Sequence, residues 1–181
     1  MKSATDIRRL FNLFVMGLGL AIFASSQGWA EEKKHISFAS PAENTQYTQQ
    51  YSIAVSPTHQ IRIFEIHRTY PHNPPAFEGI RLVEEWMRAF SDYVDGNGRV
   101  SGYGQYVMEN GDRVYYWADG VTQTTNDAKA DTKSEATLIK RITGGSGKFT
   151  DLRGALRYQS RFDSQAGINE GHTEGEYWLE K

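Results

Sequence analysis

The sequence predicts an all-β protein that forms an up-and-down antiparallel barrel of about eight strands. Polar and apolar residues alternate along most segments after residue 45, which is the period of a β-strand. Two tight-turn signals, Asp95-Gly96-Asn97-Gly98 and Asn110-Gly111, favour hairpins between neighbouring segments. Short connections separate the remaining segments. A barrel of this size either fills with side chains or holds one small ligand.

The first 30 residues have the pattern of a secretory signal peptide. Lys2, Arg8 and Arg9 precede the apolar run Leu10–Ala24, and Gly28-Trp29-Ala30 supplies small residues for cleavage. We expect cleavage after residue 30, a periplasmic or secreted protein, and no stable membrane span after cleavage. An uncleaved membrane anchor is the alternative.

Composition limits the partners of the remaining chain. Removal of three basic and one acidic residue with the signal peptide leaves 17 Lys and Arg against 21 Asp and Glu, a net charge of −4. A mildly acidic surface argues against nucleic acid and anionic membranes as partners. The absence of cysteine excludes disulfides, thiolate metal sites and cysteine nucleophiles.

The segments can be assigned in order. Residues 31–44 are polar and are predicted to be a flexible lead-in, so the single barrel domain spans residues 45–181. The predicted loops are Tyr70–Ala76, which contains three prolines, and the polar stretch Asn126–Ser134. Ile80–Val94 is predicted as one long strand, although Leu82, Trp86 and Phe90 at a spacing of four also suit a helix. The other predicted strands are Gln46–Val55, Gln60–Thr69, Val100–Glu109, Arg113–Thr124, Glu135–Ile142, Ala155–Asp163 and His172–Glu180.

A glycine-rich segment predicts a sharp corner between two strands. Gly144, Gly145 and Gly147 can take positive φ, Phe149 is expected to plug the end of the sheet, and Gly154 to begin the next strand. The Gly-Lys pair within this segment does not form a phosphate loop, because the required earlier glycine and the following Ser or Thr are missing.

This corner resembles the "GGTGKF…G" segment shared by the allene oxide cyclase barrels, their bacterial relatives and the plant dirigent proteins. Gly102–Tyr106, Glu109–Asp112, Arg113–Gly120 and Gly175–Tyr177 follow the order of the bacterial family's motifs, over residues 80–181. The resemblance implies a calycin-like β-barrel that often forms trimers, for which the outward Trp178 is a candidate contact. Plant enzymes of the group use a buried carboxylate, which the resemblance assigns to no position here.

Alternation predicts which side chains line the lumen. On the last two strands Leu156, Tyr158, Ser160 and Phe162, and then Gly175, Tyr177 and Leu179, are expected to face inward. On Arg113–Thr124 the choice of Val114, Tyr116 and Ala118 is close to even. The tyrosines either fill a small barrel or give an apolar cavity polar tips, which suits a lipid-like or phenolic ligand. The lumen candidates are Trp86, Arg88, Tyr116, Leu138, Tyr158, Phe162 and Tyr177.

The long strand Ile80–Val94 carries the candidate acid or base. If Leu82, Glu84, Trp86 and Arg88 line the lumen, a desolvated Glu84 could exchange protons with a ligand. The alternative is an exposed Glu84–Arg88 ion pair. The five histidines show no spacing that indicates a metal site, and no motif indicates a cofactor.

These features favour a protein that binds a small hydrophobic molecule in its lumen without catalysis. One alternative is a cofactor-free isomerase or cyclase of the allene oxide cyclase type. The other is an envelope interaction protein with a filled barrel.

Overall fold

The structure, a computed structural model, describes residues 31–126, 132–163 and 168–181. The predicted signal peptide lies outside these residues. The strands are β1 Lys34–Ser40, β2 Thr45–Ala54, β3 His59–Thr69, β4 Ala76–Phe77, β5 Ile80–Val94, β6 Asn97–Met108, β7 Arg113–Asn126, β8 Thr132–Gly145, β9 Leu152–Asp163 and β10 Ile168–Leu179. Short 3-10 turns occupy Ala42–Asn44 and Gly147–Phe149. The described part of the chain contains no helix that is long and apolar enough to cross a bilayer.

The strands form one antiparallel sheet in the order β1-β10-β9-β8-β7-β6-β5-β3-β2, and the two-residue β4 pairs with β5. The predicted all-β, antiparallel fold is confirmed. Apart from β1 and the two-residue β4, strands that are neighbours in the chain are neighbours in the sheet, as expected for an up-and-down barrel. The edges of the sheet are β1 and β2, which do not pair with each other in the described ranges. The sheet is therefore a barrel-like surface that is open along this seam.

Three local predictions concern segments at or between the strands of the sheet. Ile80–Val94 is a strand along its whole length, so the helix alternative for this segment is wrong. Residues 31–44, predicted to be a flexible lead-in, contain β1, which pairs with β10 from Lys34↔Tyr177 to Ser40↔Gly171. Ile36, Phe38 and Ser40 are buried by this pairing, so the segment belongs to the domain. The predicted loop at 126–134 is strand at both described ends, and residues 127–131 lie outside the described residues.

The core lies on the inner face of the curved sheet. Strand alternation places Val114, Tyr116 and Ala118 of β7 there, each at most 1% exposed. On β9 the inward residues Leu156 and Tyr158 are equally inaccessible. The largest buried apolar side chains are Tyr106, Tyr116, Phe77, Phe149, Leu82, Met108, Leu152 and Leu156.

A β-bulge near the start of β5 reverses the inward and outward faces of that strand. Leu82 pairs with Met108, and Glu84 pairs with the adjacent Val107, so Val83 is an extra residue. As a result Leu82 and Glu85 are both completely buried, although they are three positions apart. Beyond the bulge the odd-numbered residues of β5 face inward.

The glycine-rich corner lies between β8 and β9, next to the β6–β7 hairpin. Gly144 and Gly147 have φ values of 138° and 54°, and Phe149 is completely buried. A Cβ atom at Gly145 would lie 2.2 Å from the carbonyl oxygen of Arg113. A Cβ atom at Gly154 would lie 2.7 Å from the carbonyl oxygen of Glu176. The corner therefore depends on positive φ values and on close approach between backbone segments.

Candidate functional site

A buried carboxylate lies at the centre of the lumen, on the bulged strand β5. Glu85 is completely buried and contacts two cations from other strands. Arg68, the penultimate residue of β3, donates from Nη1 to Glu85 Oε2 at 3.1 Å. Lys140 of β8 donates from Nζ to Glu85 Oε1 at 2.6 Å. These three charges are at most 2% exposed, so the attraction between the carboxylate and the two cations has to offset the hydration that each group loses.

Four tyrosines complete the hydrogen bonding of these charges. Tyr70 donates to Glu85 Oε2 at 3.0 Å, and Tyr116 donates to Glu85 Oε1. Each cation also donates to one of the other two tyrosines: Lys140 Nζ lies 3.1 Å from the hydroxyl of Tyr106, and Arg68 Nη2 lies 2.9 Å from that of Tyr158. We call this set the buried ionic cluster: Arg68, Tyr70, Glu85, Tyr106, Tyr116, Lys140 and Tyr158.

The tyrosine rings also face the two cations. The Nζ atom of Lys140 lies 4.4 Å from the ring centroid of Tyr158 and 5.0 Å from that of Tyr116. The guanidinium of Arg68 lies 5.1 Å from the ring of Tyr158. Aromatic faces stabilise desolvated cations, so the interior replaces part of the hydration that the cations lose.

Burial and charge have opposite effects on the pKa of Glu85. Burial disfavours the ionised form, but the positive charges of Lys140 and Arg68 outweigh it and lower the pKa to about 2. Burial lowers the pKa of Lys140 to about 8, although Glu85 acts in the opposite direction. Burial raises the pKa of Tyr116 well above its usual value, so this phenol stays a neutral donor. At neutral pH the cluster therefore carries two positive charges and one negative charge.

A small cavity borders this cluster on one side. Its volume is about 40 Å³, and its walls are mainly apolar. Arg68 and Tyr158 form its buried polar part, whereas half-buried side chains such as Tyr47, Arg62 and Phe162 form its outer part. The other lining residues are Phe64, Ile66, Met87, Tyr93, Val100, Thr122, Ala136, Leu138, Ser160 and Asn169.

The cavity volume limits what can bind without movement of side chains. Pockets for drug-sized ligands are about 300–1,000 Å³, whereas this cavity holds the equivalent of a few water molecules. Most of the lumen is filled by the buried ionic cluster and its aromatic rings. A larger guest would therefore have to displace the half-buried side chains of the outer part.

The structure brings most of the predicted lumen residues to the inner face. Tyr116, Leu138, Tyr158 and Tyr177 are buried, and Phe162 is half-buried. Of these, Leu138, Tyr158 and Phe162 line the cavity. Tyr116 belongs to the buried ionic cluster. Tyr177 lies elsewhere: its ring packs against Phe77 at 5.0 Å and its hydroxyl accepts from the amide of Glu78.

The three candidates on β5 face outward, so their assignment to the lumen is wrong. The indole Nε1 of Trp86 donates to Glu84 Oε2 at 2.9 Å, and its ring stacks on His67 at 4.0 Å. Arg88 pairs with Glu65 at 2.7 Å instead of forming the alternative ion pair with Glu84. The bulge at residue 83 explains the reversal, because it moves every later residue of β5 to the opposite face.

Sequence reasoning missed the charged members of the site, although two of them had a readable signal. Arg68 follows Phe64 and Ile66 at alternate positions of β3, and Lys140 follows Leu138 on β8. Each cation therefore occupies an inward position of an otherwise apolar face. Glu85 had no such signal, because only the bulge turns it inward.

Comparisons with known proteins give a likeness at low sequence identity. No protein-family model matches the sequence, and no curated protein matches it. Among solved structures, the pterocarpan synthase dirigent protein GePTS1 is similar at 15% identity and a TM-score of 0.43, over 83% of this chain and 90% of that chain. Within the described ranges, no group of three or more His, Asp or Glu side chains is arranged to hold a metal ion.

Proposed function

We propose that this chain is an exported protein that binds a small hydrophobic molecule in the cavity beside Arg68 and Tyr158. The observation that carries the proposal is an apolar-walled cavity inside the sheet whose outer part consists of half-buried side chains. Such side chains can move aside without unfolding of the strands, which lets a guest larger than the empty cavity enter. Export rests on the signal-peptide pattern of residues 1–30.

The isomerase or cyclase alternative has less support at this site. Both carboxylate oxygens of Glu85 accept hydrogen bonds within the buried ionic cluster, and Glu85 does not line the cavity. Glu84 lies on the outer face. A general base must reach the proton that it removes, and the cavity lining contains no carboxylate to do so. Binding without catalysis is therefore the better-supported function.

Binding can be tested with a neutral fluorescent dye and one blocking substitution. Ala136 lies in the cavity wall and is 6% exposed, so Ala136→Phe is expected to fill the cavity. We expect wild-type protein to bind Nile red at one site per chain and Ala136→Phe to bind at least about tenfold more weakly, the loss of about 1.4 kcal/mol of binding free energy. Ala155→Phe, on the outer face of β9, is the matched control and should bind like wild type.

Native mass spectrometry of protein purified from its own host gives a second readout. A retained small molecule that is lost in Ala136→Phe, while both variants unfold at similar urea concentrations, would support the proposal. If wild type retains nothing and binds no dye, lumen binding is wrong. The interaction-protein alternative would then be favoured, since Tyr51, Ile53 and Ile63 are exposed on the edge hairpin β2–β3.

A further inference from the structure

We infer that the ligand is an organic monoanion, a carboxylate on a hydrophobic body, whose charged group binds beside Arg68 and Asn169. The inference rests on the proposed lumen binding and adds the chemical class of the ligand. Three separate observations lead to it: hydrogen-bond donors without acceptors, the charges of the cavity lining, and the charge balance of the buried ionic cluster.

Two buried donors of the cavity lining lack an acceptor. Arg68 Nε and Asn169 Nδ2 are inaccessible to solvent, and neither has a hydrogen-bond partner. Both residues line the same cavity. A buried polar group without a partner is destabilising, so a ligand with oxygen acceptors for both donors would restore the two missing hydrogen bonds. A carboxylate offers two acceptor oxygens and no donor.

The charges of the lining have one sign. Arg62 and Arg68 are both cavity residues, and no Asp or Glu is among the lining residues. Arg62 lies in the half-buried outer part, with its guanidinium 5.4 Å from the ring of Phe64. An anion would therefore be attracted by Arg62 in the outer part of the cavity and by Arg68 in its buried part. An organic cation would be repelled by both arginines.

The buried ionic cluster contains one positive charge more than it neutralises. Arg68 and Lys140 share the single carboxylate of Glu85, and the tyrosines that contact them remain neutral. Water in the cavity could accept a hydrogen bond from Arg68, but it could not supply the missing negative charge. The surplus is one charge, which matches a monoanion. The apolar walls at Ile66, Met87 and Leu138 match a hydrocarbon body better than an inorganic ion.

Three probes that share one hydrocarbon body can test the charge. Phenylbutyrate, phenylbutanol and phenylbutylamine are titrated at neutral pH against protein that is loaded with Nile red. We expect phenylbutyrate to displace the dye at least about tenfold more strongly than phenylbutanol, because its hydrogen bonds are charge-assisted. Phenylbutylamine is expected to be the weakest of the three.

Asn169→Asp supplies the negative charge from the protein itself. This variant should bind phenylbutyrate at least about tenfold more weakly than wild type while its affinity for phenylbutanol changes little. Asn73→Asp adds the same charge at an exposed position away from the cavity and is the control for long-range repulsion. Arg62→Gln, in the half-buried outer part, should also weaken phenylbutyrate selectively and provides a second, independent test.

The outcomes separate this inference from the proposed function. If the three probes displace the dye equally, lumen binding stands and the anion preference is wrong. If the dye itself does not bind, the proposed function fails, and the inference fails with it. Preference for phenylbutylamine over phenylbutyrate would overturn the charge argument directly.

Discussion

Neutralising each of two adjacent glutamates tests the face assignment of β5. Glu84 and Glu85 are identical neighbours, but the bulge directs one outward and the other into the buried ionic cluster. We therefore compare Glu85→Gln with Glu84→Gln. Both substitutions keep the size of the side chain and remove one negative charge, so they differ only in environment.

The structure gives very different expected magnitudes for the two variants. Without Glu85 the cations Arg68 and Lys140 remain completely or almost completely buried with no counter-ion. Removing one partner of a buried ion pair costs about 3–5 kcal/mol, because it leaves an uncompensated charge. The Glu84 side chain is 42% exposed, and its Oε2 atom lies 3.5 Å from the Nε2 atom of His67. Exposed pairs of this kind contribute at most about 1 kcal/mol.

Urea unfolding of residues 31–181 at neutral pH measures both effects. These residues form one compact unit, which favours a single cooperative transition. The midpoint should fall strongly for Glu85→Gln and little for Glu84→Gln, with similar slopes for both. Equal losses in the two variants would show that Glu85 is not the central carboxylate, and a larger loss in Glu84→Gln would reverse the face assignment.

Three further predictions concern pH, the corner and export. Folding lowers the pKa of Glu85 from 4.5 to about 2, so ionised Glu85 contributes fully to the unfolding free energy above pH 4.5. This contribution disappears as the pH falls towards 2. In urea titrations over this interval, the unfolding free energy of wild type should fall by about 3 kcal/mol more than that of Glu85→Gln. Gly145→Val places Cβ against the carbonyl oxygen of Arg113 and should lower the unfolding free energy by about 2 kcal/mol or more, whereas Thr143→Val on the exposed side of β8 should change it little. Intact-mass measurement of exported protein should give a chain that begins at Glu31, and a mass that corresponds to a chain beginning at Met1 would contradict cleavage.

Local sequence signals were sufficient to predict the class of fold. Asp95 and Gly96 take φ values of 50° and 75° in the β5–β6 hairpin, and Gly111 takes 85° in the next hairpin. Residues that adopt positive φ at a low energetic cost therefore predicted these turns correctly. The alternating segments became strands because their apolar side chains share one face and the sheet buries that face.

Strand β1 could not be predicted in the same way. Lys34–Ser40 is short and pairs with β10, from Lys34↔Tyr177 to Ser40↔Gly171, so each partner residue lies more than 100 positions later in the chain. Its assignment depends on a partner strand that no nearby residue indicates. Ile36 and Phe38 alternate with polar neighbours, but two apolar positions are too few to assign a strand without the partner that buries them.

The site was only partly predictable because one inserted residue decides the face of β5. Strand periodicity is two, so a one-residue bulge exchanges the lumen and solvent faces beyond it. The sequence around Val83 contains no glycine or proline that would indicate a bulge. Alternation therefore placed Glu84, Trp86 and Arg88 in the lumen, although Glu85 and Met87 occupy it.

The charge balance of the interior is easier to explain by binding than by stability. A buried ion pair is often no more stabilising than apolar residues of similar volume, so two cations around one carboxylate are a poor solution for a filled core. One more carboxylate in the cavity lining would neutralise the surplus charge, and Asn169→Asp would supply it within a side chain of nearly the same shape. If stability alone determined which residues occupy the interior, Asn169→Asp would raise the unfolding free energy without any loss of function. The proposed anion site implies the opposite outcome for function: Asn169→Asp stabilises the empty protein and weakens phenylbutyrate binding, because the new carboxylate occupies the position and the charge that the ligand requires.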